Sequence, residues 1–451
     1  MSPARTAADI AGQVRADPTS APRVVEECLD RIAALDPRLG AFQIVCADAA
    51  RAEANDLARR DLAGLPLAGV PVAIKDNVDV QGLPTRYGSG ATTTAPAEKD
   101  DELVRRLRDA GAVVVGKTKL PELAIWSFTE SRAHGGTATP WDLSRNAGGS
   151  TGGGAAAVAA GLVPVALGSD GGGSLRIPAA FCGVVGYKPA RAVVPLAGGA
   201  QEHWYGCSVF GAIASSVADV SAVTDVLAGR TVTSVTVPPR ALRVAVSMRA
   251  PVPIARPDGV TRAGIGRAVE LLTAAGHAAT PADPPYPLTM ANDWGRCWLA
   301  GIAEDVEVMG LDETRLEPRT LAMVRRGRRL RRRGRPTAEA RTSWTRTADA
   351  WFGTFDVLVS PTVARAPARL GGMRDSGYWR SYLWGATTTP YTQAWNLTGY
   401  PAVTLPLPRA DGAPYAVQLV APPGREGLLL GLAAQLEEAA GRPGLPPIAG
   451  M

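Results

Sequence analysis

Short apolar runs alternate with helix-like segments through most of this chain of 451 residues. Residues 69–74, 112–115 and 163–167 are apolar runs of strand length, whereas residues 100–110 and 155–160 have the character of helices. A chain in which strands and helices alternate builds a sheet that helices cover on both faces. The sequence therefore predicts an α/β fold with a central β-sheet between layers of helices.

The composition is typical of a soluble globular protein, with 46% hydrophobic and 20% charged residues. No apolar stretch approaches the roughly 20 residues that cross a membrane, and the N-terminus has no signal-peptide core. The five cysteines are scattered, odd in number and never spaced like metal ligands. We therefore predict a cytoplasmic protein with free thiols, no metal and no membrane partner.

Three separated segments carry residues from which an acyl-transfer site can be built. Lys75 ends an apolar run, and Ser150 and Ser174 each stand among glycines. Glycine lets backbone N–H groups come close to a substrate, because it has no Cβ. Each segment alone has an ordinary interpretation, which is a surface lysine for the first and a glycine turn for the other two. Together, and in this order, they indicate one site.

Ser174 is the candidate nucleophile of this site. It follows Gly171, Gly172 and Gly173 and opens a predicted helix, so several backbone N–H groups converge beside its hydroxyl. Donors grouped at the start of a helix stabilise a developing oxyanion. The alternative is a glycine turn in which Ser174 only caps the helix.

A serine at its ordinary pKa is a weak nucleophile and needs a base. None of the three histidines, His134, His203 and His277, has a local context typical of a serine–histidine–aspartate site. Lys75 can serve instead if it is buried, because desolvation lowers the pKa of a lysine and favours its neutral form. We therefore predict Lys75 as the base.

The three segments resemble those of the amidase signature family, in their order and in their flanking residues. Further segments resemble that family as well, so the resemblance covers nearly the whole chain: residues 20–44, 116–118, 120–122, 186–189, 356–362 and 396–402. The resemblance implies the fold of the family, which is a central mixed β-sheet covered by helices on both faces.

The resemblance also implies a Ser–Ser–Lys triad that hydrolyses a carboxylic amide C–N bond through an acyl-enzyme on Ser174. Ser150 corresponds to the middle serine, which relays the proton from Ser174 to Lys75 and follows a cis peptide bond, here Gly149–Ser150. Thr151 stands where the family commonly has a second serine, and takes only a supporting hydrogen-bond role. No cofactor is implied, and acyl transfer to an amine on the same triad is the alternative reaction.

By the same resemblance, Asp170 orients the Ser174 loop and Arg176 anchors the helix that begins there. An ordinary structural ion pair is the alternative for these two residues. The chain departs from the family at two places. Gly171 stands where relatives often carry Thr or Ile, so we expect a looser loop. Residues 211–215 lack the usual Gly-Pro and Arg, and there we expect a small surface rearrangement.

We find no internal repeat and no linker long enough to separate two domains. The prediction is a single domain over residues 1–451. Within it, N-terminal helices occupy about residues 5–62, the catalytic core about residues 65–230, and a C-terminal part with substrate-lining segments about residues 240–451. Residues 230–240 are the loosest joint.

Seven of the 25 aromatic residues fall within residues 378–400. A pocket wall rich in aromatic surface suits a small-molecule site. We therefore predict Tyr382 and Trp395 from this segment, and Trp126 from outside it, as substrate-binding residues. The predicted substrate is a small-molecule amide with a bulky apolar or aromatic group. The alternative is that most of these rings belong to the core.

Eight arginines fall within residues 325–335, and without them the rest of the chain is slightly acidic. A basic tract can bind nucleic acid, and the glutamyl-tRNA amidotransferase A subunit belongs to the family that the chain resembles. However, the tract has no interleaved aromatic residue for base stacking, and no Asp or Glu lies between Asp375 and Asp411, the region where that subunit holds glutamine. A nucleic-acid or partner-binding role stays an alternative, and a homodimer stays open.

Two other motif matches are rejected. Residues 111–118 fit the phosphate-binding pattern G-x4-G-K-T, but their three valines are typical of a buried strand and not of an exposed loop. Residues 148–152 fit the nucleophile elbow G-x-S-x-G, but residues 139–147 predict a loop where an elbow needs an apolar strand. The sequence thus favours neither an ATPase nor an α/β-hydrolase.

Overall fold

The computed structural model describes residues 5–234, 241–334, 336, 338–410 and 412–450. Residues 235–240 of the predicted joint lie outside the described residues, and so does Arg335 at the end of the arginine tract.

Within the described ranges the chain forms fifteen β-strands and fourteen α-helices. The strands are β1 (Phe42–Val45), β2 (Pro71–Lys75), β3 (Val113–Thr118), β4 (Glu130–Ser131), β5 (Gly135–Gly136), β6 (Ala138–Thr139), β7 (Asp142–Asn146), β8 (Val165–Asp170), β9 (Val185–Lys188), β10 (Val209–Ala214), β11 (Arg243–Val246), β12 (Ala278–Pro281), β13 (Val357–Pro361), β14 (Ala402–Leu407) and β15 (Tyr415–Val420). The helices are α1 (Ala7–Ala16), α2 (Ala21–Leu39), α3 (Ala47–Leu57), α4 (Glu102–Asp109), α5 (Gly152–Ala159), α6 (Arg176–Cys182), α7 (Val217–Ala228), α8 (Gly259–Ala274), α9 (Met290–Val308), α10 (Pro318–Arg332), α11 (Ala338–Phe352), α12 (Tyr378–Thr388), α13 (Gln393–Thr398) and α14 (Glu426–Ala440).

Eleven of these strands form one sheet in the order β1-β3-β2-β8-β10-β9-β14-β15-β13-β11-β12. The strands β3, β2 and β8 run parallel to one another, and so do β13, β11 and β12. The neighbours between these two groups are antiparallel, as are β1 and β3. The predicted mixed central sheet is therefore confirmed. Its continuity from the N-terminal to the C-terminal part of the chain supports the single-domain prediction.

Helices cover the sheet on both faces. Along β13, Val357 and Val359 belong to one apolar cluster and Leu358 to another. In β14 and β15, Val403 and Leu419 likewise belong to the first cluster, whereas the adjacent residues Ala402 and Val420 belong to the second. Because successive residues of a strand point to opposite faces, the two clusters are the cores on the two sides of the sheet.

The small-residue helix α5 packs directly behind the glycine loop that precedes it, and every one of its residues is buried. A Cβ at Gly153 would lie 2.4 Å from the carbonyl oxygen of Ala41, and one at Gly154 would lie 2.9 Å from the Cβ of Ala166. Larger side chains would separate the helix from its neighbours. The run of glycine and alanine thus fixes how closely Ser150 approaches the sheet.

Three segments bear on the secondary expectations. The strand β10 includes residues 211–214 and is fully buried in the sheet, so the surface rearrangement expected there is wrong. The strand β3 is also fully buried, which agrees with the rejection of a phosphate-binding loop. The residues before Ser150 include β7, which pairs with β6 in a separate hairpin and adds no strand to the main sheet.

In the described part of the chain, we find no helix with the length and apolarity that a membrane span requires.

Candidate active site

Lys75 and the Ser174 loop meet because β2 and β8 are parallel neighbours. The carboxyl ends of parallel strands lie at the same edge of a sheet, and Lys75 ends β2 while the loop follows β8. The Nζ atom of Lys75 lies 2.7 Å from Ser150 Oγ and 2.9 Å from Ser169 Oγ. The Lys75 side chain is fully buried. The structure thus brings together the lysine and the middle serine that the sequence predicts.

Burial lowers the pKa of Lys75 to about 7, because the charged ammonium loses its hydration. The negative charge of Asp170 opposes this shift, but it makes no ion pair with Lys75 among the described residues. A lysine with this pKa is neutral in an appreciable fraction of molecules at neutral pH. The buried Lys75 amine can therefore accept a proton at neutral pH.

Ser150 lies in the turn before α5 and is fully buried. The peptide bond Gly149–Ser150 is cis, as the family resemblance implies. A Cβ at Gly149 would lie 2.7 Å from the nitrogen of Phe128 and from the carbonyl oxygen of Trp126, so only glycine fits there. Thr151 Oγ1 donates to the carbonyl oxygen of Ser169 at 3.3 Å, which is a supporting contact within the site.

Ser174 lies across from this pair, and its carbonyl oxygen accepts a hydrogen bond from the Thr151 N–H at 3.1 Å. Unlike Ser150, it is only half-buried, and it lines a cavity. Among the described residues its hydroxyl makes no hydrogen bond with Ser150. Of the predicted relay, the link from Ser150 to Lys75 is formed and the link from Ser174 to Ser150 is open. Catalytic hydrogen bonds are often long without substrate and shorten in its complex.

A buried polar network holds the Ser174 loop from behind. Arg176 donates to both carboxylate oxygens of Asp170 at 2.9 Å, and all atoms of the two side chains are buried. Arg176 also donates to Gln418 Oε1 at 2.7 Å and to Asn396 Oδ1 at 2.6 Å. Burial alone would raise the pKa of Asp170, but the Arg176 guanidinium and further donors hold that pKa well below its usual range. The Asp170 carboxylate is thus ionised in the folded protein at neutral pH.

Asp170 accepts a hydrogen bond from the N–H of Gly173, one of the groups that the sequence predicted as oxyanion donors. Its carboxylate accepts hydrogen bonds from the N–H of Gly173 at 2.7 Å and from the N–H of Leu175 at 3.2 Å. The N–H groups of Gly171, Gly172 and Ser174 have no such partner within the described residues. The donors that remain for a substrate oxygen are therefore these three.

Gly171 does not leave the loop loose. A Cβ there would lie 2.7 Å from the ring of Trp204, so this ring fills the space in which relatives carry a side chain. Trp204 is itself held by a hydrogen bond from Nε1 to Asp305 Oδ2 at 2.7 Å. The looser loop that we expected is not found, because a tryptophan from another segment packs against the glycine.

The cavity in front of Ser174 measures about 800 Å³, counted with the part that is open to solvent. Trp126 and Tyr382 line it, as predicted, and no charged side chain is among the described residues that do so. The remaining lining is mainly apolar and aromatic: Ala124, Ile125, Ser127, Gly172, Ile177, Trp204, Val252, Met290, Ala291, Trp294, Gly295, Trp298, Ser381, Gly385, Ala386, Thr389, Pro390 and Gln393. Such a wall suits an uncharged, bulky ligand.

Trp395 does not reach this cavity. It is fully buried, with its ring centroid 5.9 Å from that of Tyr400, 6.1 Å from that of Phe352 and 6.2 Å from that of Trp344. The residue belongs to the core on that side of the sheet. The alternative that part of the aromatic segment is core therefore holds for Trp395.

Two tryptophans of the cavity were missed by sequence reasoning. Trp294 and Trp298 lie one helical turn apart on α9, and their rings stack with centroids 5.0 Å apart. The spacing i, i+4 places both on one side of the helix, which was the available signal. They line the cavity beside Trp126, whose ring meets Trp298 edge to face at 5.7 Å.

The arginine tract forms the last turns of α10, and acidic residues near it neutralise part of its charge. Arg328 pairs with Glu307 at 3.1 Å and with Glu313 at 2.6 Å, and Arg331 pairs with Glu307 at 2.6 Å. Arg326 stacks over the ring of Tyr378 at 4.1 Å. In the described part of the chain, no group of three His, Cys, Asp or Glu side chains could hold a metal ion.

Comparison with known proteins gives matches over nearly the full length. The family model described as Amidase matches residues 23–430. The chain is 44% identical over 434 residues to "Putative amidase AmiB2" of Mycobacterium tuberculosis, which covers 93% of each chain. It is similar to the solved structure of 6-aminohexanoate cyclic dimer hydrolase, with a TM-score of 0.84 and 31% identity over 99% of this chain and 98% of that one. It is also similar to the peptide amidase PAM bound to the competitive inhibitor chymostatin, with a TM-score of 0.78 and 29% identity over 98% of both chains.

Proposed function

The chain belongs to the amidase family and hydrolyses carboxylic amide C–N bonds, and we propose that it does so through an acyl-enzyme on Ser174. The observation that carries this proposal is the fully buried hydrogen bond of 2.7 Å between Lys75 Nζ and Ser150 Oγ, beside a serine that opens into a cavity. In this proposal Lys75 is the base, Ser150 the relay and Ser174 the nucleophile.

In the proposed first step, Ser174 Oγ attacks the amide carbonyl carbon and forms a C–O bond. The Ser174 proton passes to Ser150 Oγ, and the Ser150 proton passes to neutral Lys75 Nζ. The carbonyl oxygen becomes an oxyanion, which the N–H groups of Gly171, Gly172 and Ser174 are free to stabilise.

In the second step the C–N bond breaks, and the Lys75 ammonium returns its proton through Ser150 to the departing nitrogen. An acyl ester of Ser174 remains and the amine leaves. Water then attacks the ester carbon and gives its proton through Ser150 to neutral Lys75. The C–O bond to Ser174 breaks, Lys75 returns the proton through Ser150 to Ser174 Oγ, and the carboxylic acid leaves. Apart from the substrate and water, these steps use only groups of the chain.

We propose that the substrate is a small uncharged amide with a bulky apolar or aromatic group. The cavity supports this, because tryptophans and other apolar residues form its wall and no described charged side chain lines it. Each aromatic ring buried against such a wall contributes about 0.5–1.5 kcal/mol beyond its buried area. Two of the similar structures are named for chemically different amides, a cyclic dimer and peptides, so the family alone does not set the substrate.

The proposed residue roles are tested with a fluorophosphonate, which reacts with an activated serine. Intact and peptide mass after treatment should show one adduct on Ser174 in the wild type and none in Ser174→Ala. Lys75→Ala should react more slowly than the wild type. A wild type that reacts at another residue, or not at all, contradicts the proposal.

The substrate class needs a separate assay. Hydrolysis of anilides or benzamides should exceed that of acetamide-sized amides, and Tyr382→Ala should reduce the difference by raising KM for the aryl substrates. Equal rates on small polar amides contradict the aromatic substrate. An amide product formed with an added amine would indicate acyl transfer instead of hydrolysis.

The cysteines bear on where the enzyme works, and the arginine tract bears on what it binds. All five cysteines are free thiols, which supports the proposed cytoplasmic location, since disulfides are rare there. The pairing of Arg328 and Arg331 with Glu307 leaves less of the tract for nucleic acid and supports a small-molecule substrate as the main partner.

A further inference from the structure

Each backbone carbonyl of the Ser174 loop has one fixed hydrogen-bond donor. The donors are Asn396 Nδ2 for Asp170 (2.9 Å), Trp294 Nε1 for Gly171 (2.9 Å), Thr392 Oγ1 for Gly172 (2.6 Å), Ile177 N for Gly173 (2.7 Å) and Thr151 N for Ser174 (3.1 Å). The C=O of a trans peptide and the N–H that follows it point in opposite directions. Each donor therefore also fixes the direction of the next N–H group.

Trp294 differs from the other side-chain donors in its position. Its indole lines the cavity, whereas Asn396 and Thr392 are buried behind the loop and do not line it. Through Nε1 it holds the peptide between Gly171 and Gly172. The N–H of Gly172 has no partner among the described residues, and the bond to Trp294 turns it away from α9.

Glycine at position 172 and tryptophan at position 294 fit together. A Cβ at Gly172 would lie 2.5 Å from Cζ2 of Trp294, so the ring occupies the place of a side chain on the loop. The backbone of Gly172 is not in the left-handed region, and the close approach of the ring is thus the reason for glycine there.

We propose that Trp294 is a positioning residue, whose indole N–H aims the Gly172 N–H at the oxyanion while its ring forms the wall that the substrate touches. This rests on the proposed function, because the oxyanion forms only when Ser174 attacks an amide carbonyl. A substrate that displaces the indole also displaces an oxyanion donor. One side chain thus links the choice of substrate to the rate of acylation.

The test compares two Trp→Phe variants by their rate of reaction with an alkyl fluorophosphonate at Ser174. Trp294→Phe keeps a ring in the wall but loses the N–H, and should react about ten- to a hundredfold more slowly, since oxyanion donors contribute about this much or more. Trp141→Phe is the matched control, because Trp141 Nε1 also donates to a backbone carbonyl, that of Cys182 at 2.8 Å, but lies outside the cavity. It should react within about twofold of the wild type, as expected for a distant site.

A second variant breaks the same hydrogen bond from the other side. Gly172→Ala retains the indole but pushes it from the loop, and should also react more slowly than the wild type. It keeps the proposal testable if Trp294→Phe does not fold. With an anilide substrate, both variants should lower kcat more than they raise KM, which a wall residue without a positioning role would not do.

The outcomes separate this inference from the proposed function. A wild type without an adduct on Ser174 refutes the proposed function itself. If the wild type reacts at Ser174 and Trp294→Phe reacts as fast as Trp141→Phe, only the role of Trp294 is overturned. An effect confined to KM likewise overturns it, and leaves Trp294 as cavity wall.

Discussion

Two lysines lie at or near the ends of neighbouring strands of the sheet, and their surroundings differ. Lys75 ends β2, and Lys117 lies one residue before the end of β3, opposite Ile74 in the parallel register. Both side chains are fully buried. Since residues in register point to the same face and successive residues alternate, the two lysines point to opposite faces of the sheet.

The difference between them lies in what each ammonium contacts. Lys117 Nζ lies 2.8 Å from Asp76 Oδ1, in an ion pair with both side chains fully buried. Lys75 Nζ contacts the hydroxyls of Ser150 and Ser169. Burial lowers the pKa of both lysines, but for Lys117 the adjoining carboxylate directly opposes that shift. A buried lysine that touches hydroxyls can thus accept a proton, whereas a carboxylate beside a buried lysine opposes the loss of its charge.

The largest expected effect is the loss of kcat when Lys75 is replaced. Lys75→Met should lower kcat by about 10³-fold or more, because loss of one member of a catalytic unit removes most of its effect. Its stability should change little, since methionine fills similar space and no charged partner is left unpaired. Amide hydrolysis and urea unfolding of the same preparation measure both quantities. A variant that is active but unstable would assign Lys75 a structural role.

The next largest effect is the loss of stability when Lys117 is replaced. Lys117→Met leaves the Asp76 carboxylate buried without its cation, which should cost about 3–5 kcal/mol in the free energy of unfolding. The kcat of the folded fraction should stay near that of the wild type. Adding Asp76→Asn should restore part of the stability, because the unpaired charge is then gone. If Lys117→Met abolishes activity without loss of stability, the comparison of the two lysines fails.

This pair of lysines also shows how much of the site can be predicted from the sequence. Both stand at the end of apolar runs, and period and composition do not distinguish them. The flanking residues and the resemblance indicated Lys75 as the candidate base, and the structure places its Nζ 2.7 Å from Ser150 Oγ. Its role as the base stays a prediction. The three valines before Lys117 correctly predicted a buried strand. That Asp76 turns to Lys117 depends on the pairing of β2 with β3, which no local pattern contains.

For a physical reason, the residues that line the cavity follow less directly from the sequence than the residues of the predicted triad. Aromatic residues crowd together both in cores and in binding sites, so their density along the chain does not say which of them reach the cavity. Tyr382 reaches it and Trp395 lies in the core. Trp294 and Trp298 come from α9, a helix distant in sequence from the aromatic segment, and only tertiary packing brings them to Ser174.

The pH dependence of kcat/KM should also distinguish the two lysines. Lys75 must be neutral to accept the Ser150 proton, so kcat/KM should rise with pH through about 7, the pKa to which burial lowers this lysine. About one pH unit below that value the rate should be about tenfold under its alkaline plateau, because only the neutral fraction acts. Lys117→Met should keep the same midpoint. A pH–rate profile with its maximum near about pH 5 would exclude Lys75 as the base.

The smallest effect concerns the second hydroxyl on Lys75. Ser169 Oγ accepts hydrogen bonds from Lys75 Nζ at 2.9 Å and from Asn77 Nδ2 at 3.2 Å, but lies outside the proton path. Ser169→Ala should lower kcat by about three- to tenfold, since a single neutral hydrogen bond contributes about 0.5–1.5 kcal/mol to holding the amine in place. Ser216→Ala is the control, because that buried serine caps α7 away from the site and should affect stability alone. A loss for Ser169→Ala as large as that for Lys75→Met would mean that the proton path runs through Ser169, and that the bond to Ser150 is not the one that carries catalysis.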